Sequence, residues 1–101
     1  MEIQELKLNK VSLEEAITLK AEASMIEEEI WQDALETNST KIDKDVANSF
    51  ILKAQEAILA FQNYKAYSAK DDEQRSDADK DIESLREDIV RMEKAVEGII
   101  E

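Results

Sequence analysis

The 101-residue chain contains no histidine, no cysteine and no proline, and only one glycine. Without His or Cys there is no Ser-His-Asp triad, no cysteine nucleophile, no disulfide framework and no ordinary zinc site. Strand-rich folds need turn residues every few positions, and a chain with no Pro and one Gly has almost none to offer. Basic residues are scarce as well. Thirteen Lys and Arg stand against 25 Asp and Glu, a formal net charge of −12. That balance argues against direct nucleic-acid binding, whose affinity comes from cations displacing counterions. No run of about 18 apolar residues is present, so no membrane span is expected. The opening Met1-Glu2-Ile3-Gln4-Glu5 lacks the basic and apolar regions of a secretory signal, and a cytoplasmic location is expected.

What remains is 43% hydrophobic and 38% charged, close to the composition of long helices and coiled coils. The expected class is all-α, in a single helical domain over residues 1–101. Three capping signatures divide it. Ser12-Leu13-Glu14-Glu15 reads as a capping box, Thr40-Lys41-Ile42-Asp43 as a weaker one, and Ser76-Asp77-Ala78-Asp79 as an acidic helix start. Helices are expected at about 12–37, 40–68 and 76–100, each about 37–44 Å long. Residues 1–11 fit neither helical nor strand period well and are read as an N-terminal arm. Asn38-Ser39-Thr40 matches a glycosylation acceptor but, without a secretory context, is read as cap chemistry.

Each helix carries a heptad-like stripe. The first has Ala16, Leu19, Ala23, Ile26 and Ile30. The third has Ala78, Ile82, Leu85, Ile89, Met92, Val96 and Ile99. The second is apolar on a wider arc, with Ala47, Phe50, Ala54, Ala57, Phe61 and Tyr64 flanked by Val46, Ile51, Ile58, Ala60 and Tyr67, as suits a helix lying between two neighbours. An up-down-up three-helix bundle follows. The second and third stripes share one heptad phase through Ser68, Asp71 and Arg75, which leaves an alternative: a helical hairpin whose C-terminal helix, about 90 Å long, runs unbroken and forms a coiled-coil dimer.

Few residues point to chemistry. Asp77, Asp79, Asp81 and Asp88 fall at positions 1, 3, 5 and 12 of a calcium-loop template, but Ile82 stands where the tight turn needs Gly. Glu27-Glu28-Glu29 cannot converge on one ion, because adjacent residues leave a helix in different directions. Neither a metal nor a cofactor is expected, and no catalytic residue is assigned. Partner contact is the better expectation. Trp31 and Leu35 form a short second stripe with Ile17 and Ala21; this face either meets the third helix of the bundle as core or faces a partner, Trp being frequent at interface hot spots. Tyr64 and Tyr67 combine an apolar body with a polar tip. Ile89 and Met92 lie on the richest stripe and suit self-association.

The functional expectation is a non-enzymatic interaction, assembly or adaptor protein that binds a protein partner, a copy of itself, or both through apolar helix faces. A third reading is a domain of a larger assembly. An alternative rests on the acidic rows Glu22, Glu29 and Glu36, or Asp77, Asp81 and Asp88. In bulk properties the chain resembles small acidic phage-encoded anti-restriction and anti-CRISPR proteins, which implies a nucleic-acid mimic that blocks a DNA- or RNA-binding enzyme. The same charge also keeps a helical surface soluble with no partner at all.

Overall fold

The computed structural model describes residues 12–98. They form three helices in sequence, α1 (Leu13–Glu36), α2 (Lys44–Tyr67) and α3 (Asp72–Glu97). The expected arm over residues 1–11 and the last stripe position, Ile99, lie outside the described residues.

Each helix starts where a side chain satisfies the free amides of its first turn. Ser12 Oγ accepts from the Glu15 amide at 3.1 Å and the Glu15 carboxylate accepts from the Ser12 amide at 3.2 Å, the reciprocal pair that the spacing predicts. The α2 cap lies later than Thr40: the Asp43 carboxylate accepts from the Asp45 and Val46 amides. The α3 cap lies earlier than Ser76. Asp71 accepts from the Gln74 amide at 2.9 Å, while Gln74 Oε1 accepts from the Lys70 amide at 2.7 Å. The polar stretch around residue 71 is therefore a helix start and not the waist of a long rod.

The turns need little glycine. α1 ends in a Schellman-type turn with Asn38 in the left-handed region at φ 54°. The Ser39 amide donates to the Ala34 carbonyl and the Asn38 amide to the Leu35 carbonyl, so Asn38-Ser39 is cap chemistry. α2 ends where the Ser68 and Ala69 amides both reach the Tyr64 carbonyl at 2.8 Å. α3 then folds back along α2, which gives an all-α three-helix bundle with neighbouring helices packed together.

α2 is the middle helix and its inner face is small. Ala47, Ala54, Ala57 and Ala60 are buried there, opposite Ala16, Ala23 and Ala34 of α1 and Ala78 and Ala95 of α3. Alanine at these crossings lets the helix axes approach closely, since interaxial distance follows side-chain size. Phe50, Phe61, Leu85 and Met92 fill the remaining space and are the largest fully buried side chains. One part-exposed ion pair ties each pair of helices: Lys20 to Asp81 at 2.7 Å (α1 to α3), Lys53 to Glu22 at 3.4 Å (α2 to α1) and Lys65 to Asp79 at 2.6 Å (α2 to α3). Such part-exposed pairs add little stability. The first loop is clasped from a distance: Ile42 is buried, and its amide donates to the Ala95 carbonyl at 3.0 Å.

Candidate functional site

The face of α2 turned away from the core carries Asn48, Leu52, Gln55, Leu59, Gln62 and Ala66, spaced 4-3-4-3-4, and all six are exposed. None is charged, in a chain that is 38% charged. Leu52 and Leu59 are 62% and 57% exposed. The edge toward α3 continues into Ile51 and Ile58, which are half-buried against the core. The edge toward α1 is polar. There Lys53 bridges Glu56 and Glu22, and the Glu56 hydrogen bond is the main reason its ammonium is held above the ordinary lysine pKa. The result is an uncharged strip bounded by ion-paired residues. Such depletion of charge is what distinguishes the centre of an interface from ordinary surface.

Sequence reading missed Leu52 and Leu59. The signal was present in their spacing of seven, but the broader inner stripe through Phe50 and Phe61 drew the assignment of the buried face. Of the residues singled out beforehand, Tyr64 and Met92 belong to the core, at 5% and 0% exposure. Close packing of α2 against α3 covers nearly all of both side chains. Ile89 is half-buried and also packs on the core. Trp31 is half-buried as well, and its indole Nε1 donates to Glu27 Oε2 at 3.2 Å. Leu35, one turn on, is 77% exposed, and Tyr67 is 57% exposed. These last two lie at opposite ends of the bundle, because α1 and α2 run antiparallel, and they form no common patch.

The acidic rows are disposed unequally. Glu22, Glu29 and Glu36 are exposed along α1, with Glu22 engaged by Lys53. On α3 only Asp77 is free to face solvent. Asp81 binds Lys20 and Asp88 binds Arg91, and both carboxylates are half-buried. Asp88 faces the seam with α1, where its charge acts on Glu27. The Glu27 carboxyl is held above its ordinary value, first by burial and then by the Asp88 charge, while the Trp31 hydrogen bond and Arg91 pull the other way. Asp77, Asp79, Asp81 and Asp88 are strung along one continuous helix, so they cannot wrap an ion as a loop would. Among the described residues, no three carboxylates are grouped to hold a metal ion, and no helix is long and apolar enough to cross a membrane.

Comparison with protein-family models, with curated proteins and with solved structures finds no match. The arrangement itself is the remaining guide. A groove of about 390 Å³ runs between the ends of the helices, with Leu13, Ile17, Tyr64 and Ala78 as its apolar lining and Gln74, Asp77, Lys80 and Asp81 as its polar one. It holds the carboxylates of Asp77 and Asp81 and the amine of Lys80. The α2 strip is the more distinctive surface.

Proposed function

We propose that this protein is an interaction or assembly module that binds another polypeptide through an apolar helix face and carries out no chemistry of its own. The observation that supports this reading is the uncharged outer strip of α2 with Leu52 and Leu59 exposed on it. Solubility alone would place Lys or Glu at those positions, where charge costs nothing and opposes aggregation. The acidic-mimic reading has less support. It needs phosphate-like rows free to meet a basic groove, and two of the three carboxylates on the α3 row are engaged with Lys20 and Arg91.

The test is affinity capture from native lysate with two baits, wild type and the Leu52→Glu/Leu59→Glu variant, eluted on a rising salt gradient. An apolar contact survives about 1 M salt, where electrostatic screening acts within about 3 Å. A partner or second copy held by wild type through that range and absent from the variant is expected. Identical profiles from both baits, or release of every partner at moderate salt, would refute the reading.

A further inference from the structure

We infer that the outer face of α1 is a second docking surface, one that takes a basic amphipathic helix of a partner protein. The Lys53 ion pairs separate it from the α2 strip, and it stands whether or not that strip is occupied. Two grooves lie end to end along this face and meet at Glu22. One, of about 450 Å³, is lined by Glu14, Glu15, Thr18, Leu19 and Glu22. The other, of about 360 Å³, is lined by Glu22, Met25, Ile26, Glu29 and Lys53. Leu19 and Ile26, half-buried against the core, give the two grooves an aliphatic floor. Met25 is 60% exposed beside them, and a flexible thioether suits a surface that adapts to a partner.

Charge selects the chemistry of the occupant. Glu14, Glu15, Glu22 and Glu29 are all exposed along the rims. Lys53 is the single cation among the lining residues, and Glu22 and Glu56 already share it. Among the described residues, Glu14 and Glu29 have no ion pair. The occupant therefore has to bring cations for the rims and aliphatic side chains for the floor. A purely apolar helix would lie against unpaired carboxylates, and a basic surface without aliphatic side chains would leave the floor in water.

Spacing selects its conformation. Glu15, Leu19, Glu22, Ile26 and Glu29 follow one another at intervals of 4-3-4-3 on α1. The carboxylates thus recur every seven residues, and so do the aliphatic side chains, a rise of about 10.5 Å. A second helix repeats its own face over the same distance, so Lys or Arg and Leu or Ile can alternate in step with their counterparts. A strand covers about 10 Å in three residues, and the third side chain points to the opposite face.

The experiment titrates the full chain, to about 500 µM, with a synthetic Leu/Lys helix of about 15 residues whose leucines share one face. Binding is read by calorimetry at about 0.05 and 0.5 M NaCl and by the NMR signals of the methionine methyl groups. The Met25 methyl signal should move while that of Met92, completely buried, stays in place. Affinity should fall at least about tenfold at the higher salt, and a scrambled peptide of the same composition should bind about tenfold more weakly. Glu22→Gln/Glu29→Gln should also weaken binding about tenfold, whereas Glu83→Gln/Glu87→Gln, an equal change of net charge on α3, should weaken it less than about twofold. Equal losses from the two double variants, or equal binding of the scrambled peptide, would show attraction to net charge alone and overturn the inference. Loss of binding in Leu52→Glu/Leu59→Glu would place the peptide on the α2 strip, which overturns this inference and leaves the interaction reading standing. An absence of binding at the highest concentration overturns it as well.

Discussion

Phe50 and Phe61 offer the most direct check on how this bundle is held. Both rings are completely buried, and they occupy one face of α2, separated by about three turns. At 1.5 Å per residue they lie roughly 16 Å apart along the axis, beyond the ~7–10 Å within which substitutions usually couple. Truncation of a buried Phe to Ala costs about 3–5 kcal/mol, and the two should therefore add to about 6–10 kcal/mol. Domains of this size have about 5–15 kcal/mol in total. Each single variant should fold, with its urea midpoint lowered by about 2–3 M for a denaturant dependence near 1.5 kcal/mol/M. The double variant should be at or past the threshold of unfolding at 25 °C. Titrations followed both by far-ultraviolet circular dichroism and by Trp31 fluorescence would read this, and Trp31 is the only tryptophan. It sits on α1, so coincident curves would show that α1 is lost together with α2. As a contrast, Leu52→Ala and Leu59→Ala, on the exposed strip, should change stability by no more than about 0.5 kcal/mol. Single losses below about 1 kcal/mol at Phe50 or Phe61 would refute close packing at those layers, and strong non-additivity would refute their independence.

Three further perturbations probe the seam and the caps. Burial, and then the Asp88 charge, hold the Glu27 carboxyl pKa above its ordinary value in the folded state, so the folded chain holds that proton more tightly than the unfolded one. Its contribution to stability therefore falls as pH rises from about the unfolded value through the raised folded one. Glu27→Gln, which keeps an acceptor for the Trp31 indole, should raise Tm at pH 7 by the equivalent of less than about 1 kcal/mol, with the gain vanishing near pH 4. An equal gain at both pH values would refute the assignment. Asn38→Gly should raise Tm by a few degrees, about 0.5–1 kcal/mol, because glycine takes the left-handed φ of 54° without a Cβ penalty; a drop in Tm by calorimetry would show that the Asn side chain holds the turn. Asp71→Ala should cost about 1 kcal/mol and speed amide exchange in the first turn of α3, starting at Gln74; unchanged exchange there would mean that something else caps the helix.

Much of the architecture was legible because helix stripes and caps are local signals. The Ser12 box and the three apolar stripes needed only spacing. The polar break near residue 71 was visible, but its meaning was not, since shared heptad phase looks the same in a hairpin and in a rod. The Asp71–Gln74 cap decides it, and that arrangement is harder to read than Ser12-x-x-Glu15 because Gln74 reaches the amide of Lys70 instead of that of the cap residue. The candidate site was less legible. A helix with apolar residues around most of its circumference does not declare which arc will be covered. Tyr64 and Met92 are covered because α3 folds back over α2; Leu52 and Leu59 are left outside because two neighbours, not three, flank that helix. Only the tertiary arrangement separates the two sets.

The clasp between the Ile42 amide and the Ala95 carbonyl also bears on how the molecule is made. Its two halves are about fifty residues apart, a long loop to close for one hydrogen bond. During vectorial synthesis the α1–α2 hairpin leaves the ribosome first, with the side of α2 that meets α3 uncovered and the Ile42 amide still lacking its acceptor. The bundle is finished only when the last turn of α3 emerges and docks at the far end, so the interval between those events is when a nascent chain is most open to chaperones, proteases and its own kind.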